Sequence, residues 1–374
     1  MRKIKILFFI HDLSYGGAEK VLVNLVNNMS QNSFDITVQT IFDVGVNRNR
    51  LNSNIKYKPG LPIMFRGNSH LFKIFSPTFL AKLFIKEDYD IVVSYLEGTT
   101  ARIISGYNNK KTKKICWIHT DLIDSKLFST GFRNLKEAKE SYLQFDKIIC
   151  VSESVKSSFI KMFINKKLNV EVIYNVNESD VISNLALEPI DFKPEYFSIC
   201  SVGKIQPNKG YLRLAKVHKQ LIEEGITHQI FIIGTGPQKK EIIDFLDKNR
   251  LRDTFVFLGF QNNPYKYMKH CDLYLCSSYR EGLNTAVTEA LILGIPVLST
   301  LCSGARELLG NNNEFGLVVE NSDEAIYRGI KYLIQNNTVI EEYKKRSLKR
   351  GKSFSKRKIV LRTELMFNHI VNNA

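Results

Sequence analysis

Short apolar runs alternate with amphipathic stretches along the whole chain. Residues 3–10 are nearly all apolar, which predicts a buried strand, and the apolar positions of residues 18–29 recur at helical spacing. Strands that alternate with helices are typical of α/β proteins with parallel sheets. The same alternation predicts further strands at residues 35–42, 90–96, 114–119, 147–151, 197–202, 229–233, 254–258, 273–276, 297–299 and 316–319.

The regular alternation is interrupted between residues 177 and 194, where the chain is polar, acidic and contains proline, as in a linker. We therefore predict an α/β fold of two doubly wound, Rossmann-like domains that face each other across a cleft, at residues 1–180 and 195–355. A basic helix is predicted in the remaining segment, residues 356–374. Ligands of such sheets bind beyond the carboxyl ends of the strands, which is where we expect a site.

Charge is the unusual feature of the composition. The 374 residues include 53 lysines and arginines against 37 acidic residues, a formal net charge of +16. A protein this basic commonly meets a polyanion, although lysines spread over a solvated surface give the same balance. No helix-turn-helix, RNA-binding or zinc-finger pattern is present, so a nucleic-acid partner rests on charge alone and we do not expect one.

Cysteine, histidine and apolar patterns point to a cytosolic protein without a metal site. The six cysteines include no C-x-x-C pair, and Cys150 and Cys200 lie in apolar runs, which indicates reduced core residues. The histidines lack the spacing of a zinc site. No apolar run approaches the roughly 20 residues that span a bilayer, and residues 4–10 are too few for a signal peptide.

Two glutamates flank the turn from a predicted strand, residues 272–276, into a predicted helix, residues 285–293, which ends at Gly294. Glu281 lies in the loop and Glu289 in the second helical turn. The free N–H groups at such a helix start favour a phosphate, and a carboxylate on each side can accept the vicinal hydroxyls of a sugar and a ribose. The segment predicts a nucleotide-sugar site, against the alternative of two ordinary helix glutamates.

Two lysines follow the first strand of the second predicted domain. Lys204 comes after Gly203, and Lys209 comes before Gly210. From such a loop each ammonium could oppose a diphosphate through a charge-assisted contact worth about 1.5–3 kcal/mol. The alternative is that both are solvated surface lysines.

Three residues of the first predicted domain are further candidates. Gly16 and Gly17 lie between the first strand and the first helix, where paired glycines let the backbone approach a ligand, although a tight turn also uses them. His119 ends an apolar strand and so lies at the carboxyl edge of the sheet. A lone histidine is more often structural than catalytic, but this position favours a part in binding.

Two other motifs suggest chemistry that we exclude. Residues 234–237, Gly-Thr-Gly-Pro, begin like a dinucleotide-binding motif, but Lys239 stands where the third glycine belongs. Asp88 and Asp90 match a metal-binding D-x-D pattern, but they precede a buried strand and are better explained as its start. We therefore expect no nicotinamide cofactor and no required metal.

The spacing of Glu281 and Glu289 resembles the E-x7-E motif of retaining glycosyltransferases with the GT-B fold, the GT4-like group that contains bacterial polysaccharide hexosyltransferases. Further matches follow the order of that family along the chain. They are Ser201-Val202-Gly203-Lys204 with Lys209-Gly210 for its phosphate loop, residues 233–237 for its G-x-G-P turn, residues 14–19 for its N-terminal G-G-x-E loop, and the pairs Val151-Ser152 and Tyr174-Asn175.

The resemblance implies that the C-terminal helix, residues 356–374, crosses back onto the first domain. It also implies transfer of a hexose, with retention, from a nucleotide-diphosphate sugar to a hydroxyl acceptor. Uridine is the default base, and the acceptor is expected to be a lipid-linked glycan of capsule or O-antigen synthesis. Glu281, His119, Lys209 and Lys204 are the implied catalytic residues, although Lys204 departs from the family's usual arginine and loses its bidentate fork. The implied donor-binding residues are Gly16, Gly17, Gly203, Lys204, Lys209, Glu281, Gly282, Leu283, Asn284, Thr285 and Glu289.

A nucleotide-sugar epimerase on a similar scaffold remains a second hypothesis. An epimerase needs a general base poised against the sugar. The candidates Asp12, His119 and Glu281 do not form a recognisable set in the sequence, which favours the transferase.

One segment of the first predicted domain interleaves cations with large apolar side chains. Such a mixture suits the boundary between lipid headgroups and acyl chains, and residues 110–114 add four lysines in a predicted loop. We predict peripheral docking on the inner, anionic face of a membrane; the alternative is that the apolar residues pack inward as an ordinary helix. The segment, residues 58–86, contains Arg66, Lys73, Lys82 and Lys86 beside Phe65, Leu71, Phe72, Ile74, Phe75, Phe79, Leu80, Leu83 and Phe84.

Overall fold

The computed structural model describes residues 2–14, 16–65, 67–163, 168–191, 193–354 and 356–372. The strands in these ranges are β1 (Ile4–Ile10), β2 (Phe34–Thr40), β3 (Lys56–Lys58), β4 (Ile91–Ser94), β5 (Lys113–Ile118), β6 (Lys147–Cys150), β7 (Val170–Val172), β8 (Ser198–Val202), β9 (Gln229–Ile233), β10 (Phe255–Gly259), β11 (Leu273–Cys276), β12 (Val297–Thr300) and β13 (Leu317–Val319).

Helices connect these strands, and two short 3₁₀ turns lie at Val46–Arg50 and Pro207–Lys209. The helices are α1 (Gly17–Asn28), α2 (Asn68–Ile74), α3 (Pro77–Phe84), α4 (Thr99–Ser105), α5 (Ser125–Phe128), α6 (Leu135–Tyr142), α7 (Glu153–Lys161), α8 (Ser179–Leu185), α9 (Tyr211–Glu223), α10 (Lys239–Lys248), α11 (Tyr265–Lys269), α12 (Thr285–Ile292), α13 (Ala305–Leu309), α14 (Asp323–Gln335), α15 (Asn337–Gly351) and α16 (Lys356–Asn372).

The chain divides into two compact units. Unit 1 comprises Met1–Val176 together with Lys356–Ala374, and unit 2 comprises Asn177–Ser355. Their sheets have the orders β3-β2-β1-β4-β5-β6-β7 and β10-β9-β8-β11-β12-β13, and the strand pairs within both are parallel. In each, the order reverses beside the unit's first strand, as in doubly wound folds. The predicted fold class of two Rossmann-like α/β domains is confirmed.

Burial explains why the central strands were predictable from the sequence. Helices cover both faces of a parallel sheet, so its inner strands are apolar along their whole length. β1 is buried from Ile6 to Ile10, and all four residues of β4, β11 and β12 are buried. In unit 2 the core formed by β8, β9 and β11 continues into α9 and α14.

Helix α16 packs within unit 1, although it follows unit 2 in the sequence. Phe367 lies in an aromatic cluster with Phe8 and Phe34, at ring-centroid distances of 5.9 and 6.2 Å. Glu364 Oε1 accepts a hydrogen bond of 2.5 Å from the backbone N–H of Ser30. The helix is thus held by an apolar face and by a polar contact to the end of α1.

The predicted linker is not irregular throughout. Residues 179–185 form α8, which packs against α11 and α12 of unit 2. Asn263 donates a hydrogen bond of 2.8 Å to the carbonyl of Leu185. The helix was not predicted because its seven residues include serines, an asparagine and an aspartate, which weaken a helical pattern.

Candidate functional site

The predicted donor residues of unit 2 collect at the carboxyl ends of β8 and β11, the two strands between which the sheet order reverses. Lys209 closes the 3₁₀ turn after β8, and Glu281 lies in the loop between β11 and α12. Ligands of open α/β sheets bind at this kind of position. The topology therefore gives the two residues a common place that the sequence separates by 72 positions.

The carboxylate of Glu281 is held on one oxygen. Oε1 accepts hydrogen bonds from Lys209 Nζ at 2.7 Å, Ser278 Oγ at 2.6 Å and Asn284 Nδ2 at 3.1 Å. The Glu281 side chain is 11% exposed and that of Lys209 is 21% exposed. The site thus brings the predicted loop carboxylate and the predicted phosphate-binding ammonium into direct contact.

Glu281 also decides the charge state of Lys209. Burial by itself would lower the pKa of the ammonium, but the nearby Glu281 carboxylate and its hydrogen bond outweigh this and raise the pKa above its usual value. Lys209 therefore stays protonated. An ammonium has three N–H donors, so one can serve Glu281 while others remain for a ligand.

Two glycines allow the loops around Lys209 to approach closely. Gly210 has φ 71°, and a Cβ there would lie 2.2 Å from the carbonyl oxygen of Ser277. Ser277 Oγ in turn donates 2.9 Å to the carbonyl of Lys209, which joins the loop after β8 to the loop after β11. Gly234 serves the neighbouring loop, because a Cβ on it would lie 2.0 Å from the carbonyl oxygen of Gly203. Close packing against Gly203 therefore explains why the G-x-G-P turn has a glycine at position 234.

The start of α12 is capped by Asn284. Its Oδ1 accepts from the N–H groups of Ala286 at 3.0 Å and Val287 at 3.2 Å. Within the described ranges, the N–H groups of Leu283, Asn284 and Thr285 donate to no other protein atom. These three donors, at the positive end of the helix, are the ones left for an anion.

The remaining donor residues of unit 2 differ in exposure. Glu289 is buried within α12, and its Oε1 accepts a hydrogen bond of 3.2 Å from the hydroxyl of Tyr265. Lys204 is exposed and forms no ion pair in the part of the chain that the structure describes. Gly282 lies in the loop beside Glu281, where its carbonyl approaches Gly304.

The buried thiol of Cys276 and the half-buried thiol of Cys302 lie beneath this loop and were not singled out from the sequence. Asn284 Nδ2 lies 3.2 Å from Cys276 Sγ, at the end of β11. A hydrogen bond from Cys302 lowers the pKa of the Cys276 thiol to about 7, although burial opposes the shift. The loop is therefore polar on its buried side as well.

In unit 1, the candidates lie at the carboxyl edge of the other sheet. Gly16 precedes α1 and Gly17 begins it; Tyr15, part of the predicted G-G-x-E loop, lies outside the described residues. Beside this loop, His11 Nδ1 and Asp12 Oδ2 lie 2.7 Å apart. Asp12 was considered from the sequence only as a base for an epimerase, and no motif marked His11.

His119 follows β5 and is neutral. Burial lowers the pKa of its imidazole to about 3, and its ring packs against Tyr95 at 4.9 Å between ring centroids. Its backbone N–H donates 2.9 Å to Glu97 Oε2, a carboxylate that no sequence motif marked. Nε2 is buried without a hydrogen-bond partner among the described residues, so the ring has one polar atom to offer.

The described residues include no group of three or more His, Cys, Asp or Glu side chains placed to hold a metal ion. Asp88 accepts from Asn109 Nδ2 at 2.7 Å, and Asp90 pairs with Arg2 at 2.5 Å. The two aspartates of the D-x-D pattern are thus engaged with neighbours in their own unit. None of the helices in the described ranges is long and apolar enough to cross a membrane.

Comparison with known proteins identifies the family. Residues 15–176 match the profile described as Glycosyltransferase Family 4, and residues 186–353 match Glycosyl transferases group 1. The chain belongs to these glycosyltransferases. The family resemblance predicted from E-x7-E and its companion motifs is thereby confirmed.

One relative of this glycosyltransferase carries a specific activity in its name. The N-acetylgalactosamine-N,N'-diacetylbacillosaminyl-diphospho-undecaprenol 4-alpha-N-acetylgalactosaminyltransferase of Campylobacter jejuni is 31% identical over 220 residues, 58% of this chain and 59% of the relative. The match therefore spans about three-fifths of that relative's length.

Solved structures share the fold over nearly the whole chain. The Anabaena protein Alr3699/HepE, crystallised in complex with UDP, superposes with a TM-score of 0.75 at 17% identity, covering 98% of this chain and 100% of that one. Sucrose-phosphate synthase from Thermosynechococcus elongatus has a TM-score of 0.81 at 14% identity and full coverage of both chains. These similarities confirm the GT-B fold class.

Proposed function

We propose that this glycosyltransferase moves a hexose from a UDP-sugar to a lipid-linked glycan, with retention at the anomeric carbon and without a metal. The observation that carries the proposal is the contact of Lys209 with Glu281, 2.7 Å between Nζ and Oε1, beside the capped start of α12. Family membership supports the transfer reaction itself.

Charge stabilisation is the proposed source of catalysis. When the bond between the anomeric carbon and the diphosphate breaks, negative charge grows on the leaving oxygen. Lys209, the helix N–H groups at Leu283–Thr285 and exposed Lys204 oppose that charge, and such preorganised donors are commonly the largest catalytic contribution. Glu281 accepts hydroxyls of the sugar, and Glu289 those of the ribose.

Retention follows in this proposal from attack on the same face as departure. The acceptor hydroxyl oxygen bonds to the anomeric carbon while the carbon–phosphate oxygen bond breaks, and the acceptor's proton passes to the leaving phosphate oxygen. No covalent nucleophile is needed. The proposed part of His119 is a hydrogen bond from its neutral ring to the donor sugar, because its pKa of about 3 excludes the charged form near neutral pH.

The donor and acceptor classes come from the relatives. A structural neighbour was crystallised with UDP, and the Campylobacter relative is named for an acceptor on diphospho-undecaprenol. Both are consistent with the default base and with a glycan built on a lipid carrier, as in capsule or O-antigen synthesis.

Membrane docking is proposed through a surface of unit 1, the α2–α3 patch. Within its helices Phe72 and Leu80 point inward and are buried, as the alternative of ordinary helix packing expects. Five large apolar side chains nevertheless face solvent, with Ile74 at 68% and Phe79 at 50% exposure. The patch comprises Leu71, Ile74, Phe75, Phe79 and Leu83, with the exposed cations Lys82 and Lys86.

Two arginines bind the backbone of the α2–α3 patch through hydrogen bonds to its carbonyl groups. Arg102 donates to the carbonyls of Phe72 at 2.9 Å and Phe75 at 2.7 Å, and Arg133 donates to that of Ile74 at 2.8 Å. These bonds satisfy the carbonyl end of α2, where a helix has unpaired acceptors. An apolar surface that is fixed in this way and edged by lysines fits an anionic lipid surface.

Residues 110–114 offer fewer exposed charges for docking than the sequence predicts. Lys113 and Lys114 belong to β5 and not to a loop. Burial lowers the pKa of Lys114, and Lys113 pairs with Asp146 at 3.7 Å. Lys110 and Lys111 alone remain as exposed charges of that segment, and Arg66 lies outside the described residues.

A thermal-shift screen tests the proposed donor. The chain is heated with UDP, GDP and ADP and with their hexose conjugates. UDP and one UDP-hexose should raise the melting temperature, because a ligand at 100 times its Kd stabilises the folded state by about 2.7 kcal/mol. A chain stabilised by none of them, or one that interconverts free UDP-hexoses without an acceptor, contradicts the transferase proposal, and the second result favours the epimerase.

A further inference from the structure

The two carboxylate oxygens of Glu281 differ in the number of hydrogen bonds that they accept. Three donors converge on Oε1, whereas Oε2 accepts no hydrogen bond from any residue that the structure describes. A carboxylate has about two acceptor positions per oxygen, so Oε1 is saturated and Oε2 keeps its capacity. An acceptor left open beside a saturated one points to a ligand that brings its own hydroxyl.

Asn284 is fixed by the helix that it caps. Its Oδ1 accepts from Ala286 and Val287, so its Nδ2 has to face the other way, toward Glu281 at 3.1 Å and Cys276 at 3.2 Å. The start of α12 therefore orients the amide, and the amide orients the carboxylate.

Ser278 is fixed by the neighbouring strand. Its backbone carbonyl accepts a hydrogen bond of 2.6 Å from Thr300 Oγ1 at the end of β12, and its side chain is buried. The residue whose hydroxyl reaches Glu281 is thus anchored to the carboxyl edge of the sheet. A site built on such elements holds its geometry more closely than one built on a loop alone.

We propose that Ser278 and Asn284 are positioning residues of the transfer reaction. They hold Oε1 so that Oε2 faces the hydroxyls of the donor sugar. Without them, the carboxylate would be free to rotate and turn Oε2 away from the sugar. This inference rests on the proposed function, because it assigns Glu281 to the sugar.

The first experiment separates positioning from folding. Ser278→Ala removes the hydroxyl, and Asn284→Ser removes the amide donor but keeps an oxygen that can cap α12. Ser299→Ala is the matched control, because its buried hydroxyl donates to the carbonyl of Thr300 and not to Glu281. The probes are UDP alone and radiolabelled UDP-glucose, UDP-galactose and UDP-N-acetylglucosamine.

Both positioning variants should lose about tenfold or more in turnover, the scale of one hydrogen bond to a charged group. Their affinity for UDP, which lacks the sugar, should stay as in the wild type. Ser278→Thr should recover most of the rate, since it restores a hydroxyl, and Ser299→Ala should retain both rate and affinity. Loss of UDP affinity in parallel with rate would show a disturbed loop and overturn the proposal.

A double-mutant cycle tests whether the two residues act through the carboxylate. If Ser278 and Asn284 act through Glu281, then in a Glu281→Ala background neither change should slow single-turnover transfer any further. Losses that multiply across the pair would mean independent roles and would refute positioning. A wild-type chain that neither binds UDP nor uses any of the three donors contradicts the proposed function itself, and the positioning role with it.

Discussion

Glu281 and Glu289 occupy different surroundings, and this should separate their effects. Glu281 lies in a polar cluster with one open oxygen, whereas Glu289 is buried against Tyr265 within α12. We expect Glu289→Ala to weaken UDP binding by about one to two orders of magnitude, the scale of one charge-assisted contact, and Glu281→Ala mainly to lower turnover. Calorimetry with UDP and steady-state kinetics measure the two. Wild-type behaviour of both variants would contradict the site assignment.

Lys209 and Lys204 should respond unequally to substitution. Lys209→Ala removes the ammonium that Glu281 holds protonated, and turnover should fall by about one to two orders of magnitude for a loss of about 1.5–3 kcal/mol. Lys204→Arg should be tolerated, since an exposed arginine keeps the charge and adds a fork. Lys216→Ala, which removes an exposed lysine of α9, is the control in steady-state kinetics. Full activity of Lys209→Ala would remove that lysine from the phosphate site.

Chelation should leave transfer intact. Lys209 and the N–H groups at the start of α12 already stabilise the negative charge of a leaving diphosphate, so no metal ion is needed for that task. EDTA is therefore expected to leave the rate within about twofold of its value without chelator. Activity is compared before chelation, after it and after adding Mg²⁺ or Mn²⁺. Loss on chelation that either ion restores would show that a metal carries the charge instead.

At the residue scale, spacing could predict the charged groups but not their partners. Glu281 and Lys209 were predicted from motifs because charge at fixed spacing is visible in a sequence. Ser278 and Asn284 were not assigned to Glu281, because only the fold brings a strand end, a helix cap and a loop carboxylate to one point. Glu97 was missed for the same reason, since its partner His119 lies 22 positions away, beyond another strand.

At the scale of elements, long apolar strands were predictable and short polar ones were not. β3 and β7 have three residues each, and their sequences, Lys-Tyr-Lys and Val-Glu-Val, carry little apolar signal. Both lie at the edges of the unit 1 sheet, where one side of a strand has no neighbour. Edge strands are held by backbone pairing with the adjacent strand, which composition does not reveal.

A buried histidine pair links α9 to the start of β9 and should make unit 2 less stable in acid. His218 Nδ1 lies 2.8 Å from His228 Nε2, and His218 Nε2 lies 2.9 Å from Thr254 Oγ1. Burial, with the neighbouring ring, lowers the pKa of His218 to about 3, and burial also lowers the pKa of His228. The hydrogen bond between the rings needs an unprotonated nitrogen on one of them, so it forms only while the pair is not fully charged.

The sign of the pH effect follows from these pKa values. Above pH 6.5 the histidines are neutral in both folded and unfolded chains, so the stability is complete; as the pH falls toward the folded pKa of about 3, only the unfolded chain takes up protons. For His218 alone the free energy of unfolding should fall by about 2 kcal/mol between neutral pH and pH 5. Denaturant titrations at the two pH values measure this difference.

A pair of variants attributes the acid effect to the buried rings. His218→Gln combined with His228→Gln should flatten the pH dependence, whatever its effect on stability at neutral pH. His270→Gln changes an exposed histidine and should keep the wild-type slope. An unchanged slope in the double variant would assign the acid sensitivity to other groups, such as His119 in unit 1, whose pKa burial also lowers to about 3.

At the scale of the whole molecule, part of the net charge of +16 lies beside exposed apolar side chains, in the α2–α3 patch. The sequence could show that cations and apolar residues mix in residues 58–86, but not which apolar side chains face outward. The fold decides this, because Phe72 and Leu80 enter the core while Phe75 and Phe79 stack on the surface at 5.2 Å. Contiguous exposed apolar side chains of this kind, edged by lysines, mark interaction surfaces.

Vesicle co-sedimentation tests docking through the α2–α3 patch. The chain should bind vesicles that contain phosphatidylglycerol and release them at high salt, since each lysine near an anionic surface contributes about 1 kcal/mol and the Debye length shrinks from about 10 Å at 0.1 M to about 3 Å at 1 M. Phe75→Ser with Phe79→Ser should weaken binding by about tenfold or more, because the apolar area that enters the interface is lost.

Leu187→Ser, the control, removes an exposed apolar side chain of unit 2, and this variant should bind vesicles as the wild type does. Transfer to a water-soluble acceptor should be unaffected in all three proteins. Binding that ignores lipid charge and salt, or that survives loss of both phenylalanines, would place the contact elsewhere and leave the transferase proposal standing.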